Sequence, residues 1–300
     1  MKKIISAGIQ ISIEPNAIKK NIDKCLEWYN RCIKETNAKF VVFPETVTTG
    51  FSPGLPLADF YKILPNNIDE ILAPFFKMAK QTKSYCVVPT YEKTSKKNVI
   101  YNSAFLVGPN EKIIGVYRKS HPFPTERLRK EKNNILGWTT PGYDAPVFDT
   151  EFGKVGIIIC YDGDFPELSR ALAAQGAVII ARPSALLRSF EIWDLTNRAR
   201  AYDNHIYMIA VNMVGADAAN NYYFGHSMII SPIAQKLAQA RGCEEIIYAE
   251  LDNDPIKRVT YGANSPMLFD HLQDRNLKLY KKYILKEAQS PFEPAMRIPY

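Results

Sequence analysis

The sequence predicts one α/β domain in which helices cover sheets whose strands pair both ways, on three observations. Strand-like and helix-like segments alternate through the first two-thirds of the 300 residues. Within that alternation "VIYNSAFLVGPNEKIIGVYRK" reads as two strands turning at Pro109 and Asn110, a hairpin. No Gly/Ser linker, internal repeat or low-complexity run divides the chain. The length suits two ordinary domains or one large layered one. Without a linker the expectation is one domain over residues 1–270, with layers of helix on sheet, and a tail over 271–300. That tail has few apolar residues and is expected to pack on a neighbouring subunit.

Residues 3–12 read as the first strand. Residues 16–35 read as a helix, because Ile18, Ile22, Leu26, Tyr29 and Ile33 recur every three to four positions. "KFVVFPE", 39–45, is a short strand closed by Pro44. A second amphipathic helix over 66–82 and a strand "YCVVPTYE" over 85–92 precede the hairpin. The polar segment 120–146 is too long for an ordinary connection and is a candidate functional loop. In "KVGIIICYDGDFPE", 154–167, a buried strand ends abruptly at Cys160, and Pro166 opens a helix at a first-turn position. Strand 178–182, helix 190–204, strand 206–212 and strands around 226–231 and 246–251 complete the pattern.

A 46% hydrophobic and 23% charged composition is that of a globular protein with a sizeable core. The formal charge of +7 comes from scattered lysines, with short clusters at 93–97 and 127–132. These read as solvated loops, so no nucleic-acid partner is expected. The five cysteines (25, 32, 86, 160 and 243) are odd in number and form no CxxC pair, which removes zinc-ligand spacing and a disulfide framework. Cys25 and Cys32 fall on one helix face and read as small core residues. The opening "MKKIISAGIQISIEP" mimics a signal peptide, but Gln10 interrupts it, Glu14 and Pro15 follow, and no A-x-A pattern occurs. No apolar stretch approaches the roughly 20 residues of a membrane span. A cytoplasmic location without membrane contact is the expectation.

Three side chains fall at strand ends: Glu45 after "VVFP", Lys119 after "IIGVYR" and Cys160 after "VGIII". Strand ends of layered α/β proteins are where side chains converge on a ligand crevice. A free thiol has a pKa of about 8.5 and needs help to become a thiolate. An ammonium stabilises the thiolate and a carboxylate takes its proton, so Cys, Lys and Glu together suffice for acyl transfer. Taken singly, Cys160 reads as an inert strand-end residue, and Glu45 and Lys119 as surface charges. A rival pairing of Cys160 with one of the four histidines (121, 205, 226, 271) lacks any surrounding papain-type sequence. His121 reads as a pocket or supporting residue, and His205 as a structural group at a helix end.

"FPET" with Glu45, "YRKSHPFPTE" with Lys119 and "GIIICYDGDFPE" with Cys160 resemble the three signature segments of the nitrilase superfamily, the carbon–nitrogen hydrolases. Their order and separations match as well, and the likeness runs from residue 3 to about 265. "YYFGHSMIISP", 222–232, further resembles a strand pair of the amidase-like branch. The resemblance implies a four-layer α-β-β-α sandwich, no metal or organic cofactor, and subunits that dimerise or assemble further through helices flanking the nucleophile. It also implies a second glutamate after the lysine. Glu126 is the best match, and Glu131 stays open because 127–137 looks inserted relative to shorter members.

The chemistry this implies is hydrolysis of a small linear amide. Glu45 takes the Cys160 proton, and the thiolate attacks the carbonyl. Lys119 and the Tyr161 N–H hold the oxyanion, ammonia leaves, and water releases a carboxylic acid from the thioester. N-carbamoyl compounds and nitriles are the alternatives, with a non-catalytic binding protein as the reading from another class. N-carbamoyl-D-amino-acid hydrolases carry arginines just after the nucleophile, where this chain has "YDGDF"; its "CYDGDFPE" is instead similar to aliphatic amidase signatures. Arg182, one strand further on, is a candidate grip for an anionic tail or a member of a structural ion pair. Phe51, Trp138 and Tyr143 are candidate pocket walls.

Overall fold

The computed structural model describes residues 1–131, 134–252, 270–284, 286 and 288. The first part of the chain forms β1 (Ile4–Gln10), α1 (Ile18–Thr36), β2 (Phe40–Val42), α2 (Leu57–Ile63), α3 (Asp69–Thr82), β3 (Tyr85–Lys93), β4 (Ile100–Gly108) and β5 (Lys112–Arg118). Then come β6 (Arg129–Glu131), β7 (Asn134–Leu136), β8 (Val147–Thr150), β9 (Gly153–Ile157), a 3-10 turn at Cys160–Asp164 and α4 (Pro166–Ala174). They are followed by β10 (Ala177–Ser184), α5 (Phe190–Asn204), β11 (Tyr207–Asn212), β12 (Val214–Ala216) and β13 (Tyr222–Phe224). The last elements are β14 (Met228–Ile230), β15 (Lys236–Gln239), β16 (Glu245–Leu251) and α6 (Leu277–Tyr283).

These strands make two six-stranded sheets, ordered β16-β1-β2-β3-β4-β5 and β15-β14-β11-β10-β9-β8. Each has a parallel centre, β1-β2-β3 in one and β9-β10-β11 in the other, flanked by antiparallel strands. Side chains of a strand point alternately to its two faces, and this period of two builds the layers. Phe40 and Val42, Val87, and Ala104 and Leu106 of the first sheet share a core with Ile157, Ile179, Ile180 and Met208 of the second. The intervening residues Val41, Cys86, Val88, Phe105 and Val107 face the other way and pack with Ile22, Cys25, Tyr29 and Cys32 of α1 and Leu72 and Phe75 of α3. Leu168 and Leu172 of α4 and Trp193 and Ala201 of α5 cover the second sheet. The result is helix, sheet, sheet, helix, the four-layer sandwich that the motifs imply.

The stripe of α1 runs through Ile22, Cys25, Tyr29 and Cys32, with Leu26 and Ile33 half-buried beside it, so both cysteines are core residues. Elements the sequence did not disclose are short. α2 has seven residues after Pro56 and buries only Phe60, too little for a 3.6-residue period to show. β8 buries one residue, Phe148, whose ring fills the space above Gly115 of β5: a Cβ there would sit 2.0 Å from Phe148 Cε1. The polar segment 120–146 is mainly loop, interrupted by the small β6–β7 hairpin. In the expected tail, His271 is fixed on its own chain: its carbonyl accepts from Arg170 at 2.7 Å and its N–H donates to His205 Nε2 at 3.1 Å. Residues 289–300 lie outside the described residues.

Candidate active site

The strand ends converge. β2 delivers Glu45, whose N–H donates to the Ser184 carbonyl at the end of β10 at 3.4 Å. Lys119 follows β5, its N–H on the Asn102 carbonyl at 2.8 Å. All three sheet-borne side chains are withdrawn from solvent: Glu45 is 0% exposed, Lys119 1% and Cys160 7%.

Lys119 Nζ donates to Glu45 Oε1 at 2.8 Å and also to Glu126 Oε1. Asn102 Nδ2 donates to Glu45 Oε1 at 2.8 Å and to Glu126 Oε2 at 3.2 Å, so one amide bridges both acids. The remaining Glu45 oxygen accepts from the Ala185 N–H at 2.8 Å, and Glu126 Oε1 accepts from the Phe123 N–H at 2.8 Å. A buried ion needs such complete pairing, because desolvation otherwise exceeds the Coulombic gain. Burial alone would push the Lys119 ammonium down, but Glu126 and Glu45 outweigh it and hold the lysine charged. Burial pushes the Glu126 carboxyl up, with Lys119 opposing it and the Glu45 charge adding to it. Glu126 thus joins the cluster; the side chain of Glu131 lies outside the described residues.

Cys160 heads the 3-10 turn with φ of 47°, a left-handed conformation that disfavours any residue with a Cβ. Its neighbours enforce it. Asp162 Oδ2 accepts from the Ile159 N–H at 2.9 Å and from the Tyr117 hydroxyl at 2.7 Å, and Asp162 Oδ1 accepts from the His121 N–H at 2.9 Å. The guanidinium of Arg182 donates twice to the Cys160 carbonyl, at 3.0 and 2.7 Å, and lies so close under the turn that a Cβ on Gly163 would stand 2.1 Å from its Cζ. Burial pushes the Cys160 thiol up to about 12 and the Glu45 charge adds to this, while Lys119, Arg182 and the Ala185 amide pull it down. The resting nucleophile is therefore a protonated thiol with a carboxylate beside it.

The structure sorts the remaining candidates. The Phe51 ring lies 5.3 Å from Lys119 Nζ, and Trp138 packs edge-on against it at 5.9 Å. Trp138 is tied by its Nε1 to the Tyr91 hydroxyl at 2.8 Å, and that hydroxyl donates to the Phe51 carbonyl at 2.5 Å. Tyr161, next to the nucleophile, sits among Phe123, Phe165 and Arg188. His121 is engaged with Asp162 through Nδ1 at 2.8 Å and stacks on Phe165. Tyr143 is 92% exposed and walls no pocket. Of the two readings of Arg182, the structure favours the structural ion pair over the substrate grip: the side chain is 0% exposed, reaches Asp164 at 3.5 Å, and donates to Thr196 and Asn197 at 2.8 and 2.7 Å. Asn102, Asp162 and Ala185 were not foreseen. The one signal for the first is the polar pair Asn102 and Ser103 inside a largely apolar strand.

The carbon–nitrogen hydrolase family model matches residues 6–261. The chain belongs to the carbon–nitrogen hydrolase family. It is 30% identical to the omega-amidase of Saccharomyces cerevisiae over 85% of this chain and 89% of that one. It is 35% identical to a nitrilase of Pyrococcus abyssi over 77% of this chain and 84% of that one. Among solved structures, an amidase from Nesterenkonia superposes with a TM-score of 0.75 over 93% of this chain and 96% of that chain, at 20% identity, a likeness of fold. This carbon–nitrogen hydrolase is an enzyme acting on carbon–nitrogen bonds other than peptide bonds. Among its described residues, no helix is long and apolar enough to cross a membrane.

Proposed function

We propose that the protein hydrolyses a small linear primary amide through a Cys160 thioester, releasing ammonia and a carboxylic acid. The observation that carries this reading is the buried pairing of Lys119 with both Glu45 and Glu126 beside the thiol. With both acids ionised this cluster has one negative charge in excess, which favours accepting a proton. Glu45 takes the proton from Cys160 Sγ as the sulfur bonds to the amide carbon. Lys119 and the Tyr161 N–H stabilise the oxyanion, each such donor being worth about 3–4 kcal/mol. Glu45 then passes the proton to the nitrogen, the C–N bond breaks, and ammonia leaves. A water molecule gives a proton to Glu45 as its oxygen attacks the thioester; the C–S bond breaks and the thiolate recovers the proton. Asn102 and Glu126 keep the base and the ammonium facing one another throughout.

A small-molecule substrate is what so buried a catalytic cluster suits; the omega-amidase relative supports an amide, and the nitrilase relative keeps a nitrile as the second reading. The thiol chemistry fits a reducing compartment such as the cytoplasm. Assembly into a homodimer or larger oligomer is supported by the exposed apolar side chains Leu195 and Tyr202 of α5 and Leu277 and Tyr283 of α6. A substrate panel scored separately for ammonia and carbon dioxide tests the reaction. Simple amides are expected to release ammonia alone. Release of both gases from carbamoyl compounds, with simple amides inert, would replace this reading by the carbamoyl one; turnover of nitriles alone would replace it by a nitrilase.

A further inference from the structure

One residue of β4 engages all three charged members of the cluster. The Asn102 carbonyl accepts the Lys119 main-chain N–H at 2.8 Å, and Asn102 Nδ2 donates to Glu45 Oε1 at 2.8 Å and to Glu126 Oε2 at 3.2 Å. A carboxamide nitrogen has two N–H donors, one for each acid. The reverse orientation would aim Oδ1 at both carboxylates, acceptor against acceptor, so the network fixes the amide this way round. The side chain is fully buried, and its Oδ1 has no hydrogen-bond partner among the described residues. The two N–H groups are therefore what anchor it.

The two acids depend on this amide unequally. Glu45 Oε1 also accepts from Lys119 Nζ at 2.8 Å, and Glu45 Oε2 accepts from the Ala185 N–H at 2.8 Å, so both oxygens stay engaged without Asn102. Glu126 differs. Its Oε1 takes both Lys119 Nζ and the Phe123 N–H, whereas Asn102 Nδ2 is the one donor to its Oε2 among the described residues. Without that donor, Oε2 becomes a bare acceptor on a carboxyl that is 0% exposed. Burial already pushes the Glu126 carboxyl up, with the Glu45 charge adding to it against the pull of Lys119. Glu126 is thus the acid poised to capture a proton, yet Glu45 is the acid whose charge acts on the Cys160 thiol. A proton held on Glu126 cancels the cluster's excess negative charge and weakens the drive of Glu45 to take another.

We infer that Asn102 is a positioning residue that keeps Glu126 unprotonated, so that the one proton of the catalytic cycle goes to Glu45. This rests on the amide-hydrolysis reading above, in which the Cys160 proton travels by way of Glu45 to the departing ammonia. Asn102 touches neither the thiol nor the substrate in that cycle. It acts through the acids, by filling the oxygen of Glu126 where a stray proton would lodge.

Asn102→Leu keeps the shape of the side chain and removes both donors. Its kcat/KM is expected to fall about 100-fold at about pH 6 and to recover toward the wild-type value as pH rises and the captured proton leaves Glu126. A deficit equal at every pH would reduce Asn102 to a packing residue and overturn the proposal. Infrared spectra of protein carrying carboxyl-labelled glutamate read the same proton directly. At neutral pH the wild type should show no stretch from protonated Glu126, judged against Glu126→Gln, and Asn102→Leu should show one. That stretch in the wild type, or its absence from the variant, would equally overturn the proposal. Asn102→Ser, whose single hydroxyl can serve only one acid, is the milder change and carries both measurements if the apolar variant does not fold. The spectra need no substrate, so they separate the two readings. A Glu126 stretch in Asn102→Leu, beside a wild type that hydrolyses no amide, would sink the hydrolysis reading and leave Asn102 in place. Amide hydrolysis by the wild type with no new stretch in the variant would sink the Asn102 assignment alone.

Discussion

Cys86 and Cys160 are both buried, and burial pushes both thiols up to about 12. Cys86 lies within the regular ladder of β3, opposite Val41 and Val107, in the layer between the first sheet and α1 and α3. Apart from burial, Tyr29 is the neighbour that shifts it, pulling it down. Cys160 stands in a left-handed turn among Glu45, Lys119, Arg182 and the Ala185 amide, whose effects oppose one another. The same acidity therefore has different contents. A high thiol pKa does not make a nucleophile, nor does it forbid one; what matters is a carboxylate to take the proton and cations to hold the charge left behind.

The largest test of that difference is removal of each sulfur. Cys160→Ala is expected to abolish turnover, with less than about a per cent remaining, since the covalent acceptor is gone. Retained activity would end the thioester mechanism. Cys160→Ser should be as inactive, because a hydroxyl is far less easily deprotonated. Next in size is the cation. Lys119→Ala should lower kcat/KM on the order of a thousandfold or more, through lost stabilisation of thiolate and oxyanion. Lys119→Arg should restore little, because a planar fork cannot take the place of a compact ammonium lodged between two carboxylates. His121→Ala should cost far less, the imidazole being engaged with Asp162. A dead histidine variant beside a healthy lysine variant would transfer the base role from Glu45 to His121.

Much of this contrast was legible before the fold. Strand-end position grouped Glu45, Lys119 and Cys160, the resemblance of their three segments to carbon–nitrogen hydrolase signatures singled them out, and helix spacing marked Cys25 and Cys32 as core. The strands β2, β3 and β4 were legible as short apolar runs, but both of their faces are buried, so which face meets which layer was not. Other features were illegible for physical reasons. α2 and β8 bury one residue each, so no periodicity announces them. Arg182 reads as a charge at a strand end, and only three-dimensional packing reveals it beneath the turn, bonded to the Cys160 carbonyl. Asn102 matters through partners far away in sequence, Glu45 and Glu126, and no local pattern encodes such pairings.

A subtler measurement asks how Cys160 loses its proton. With its thiol pushed up to about 12, reaction through free thiolate would accelerate about tenfold per pH unit from neutrality to that value. Proton transfer to Glu45 inside the site would instead leave the rate level across neutral pH. Iodoacetamide carries a primary amide and should label Cys160 ahead of the other cysteines, with that level profile, read by intact-mass spectrometry. A bulky maleimide should find the exposed Cys243 first. A tenfold-per-unit climb in Cys160 labelling by iodoacetamide would show that Glu45 does not act as the base.

The smallest expected effect belongs to Cys86. Cys86→Ala should leave kcat/KM unchanged, because that side chain faces α1 and α3, away from the layer between the sheets. Stability should fall by about 1 kcal/mol at neutral pH, the loss of one buried sulfur's packing. The alkaline limb gives the sharper reading. The Cys86 thiol is raised to about 12 in the fold, against about 8.5 in an unfolded chain. Its contribution to stability is therefore complete below about pH 8.5 and is lost progressively as pH rises toward 12. Removing it should make the decline in Tm above pH 9 shallower than in the wild type, so the two melting curves draw together as pH rises. Parallel Tm profiles would mean that Cys86 is not the isolated, neutral thiol that its apolar layer implies, and the contrast with Cys160 would lose one of its two sides.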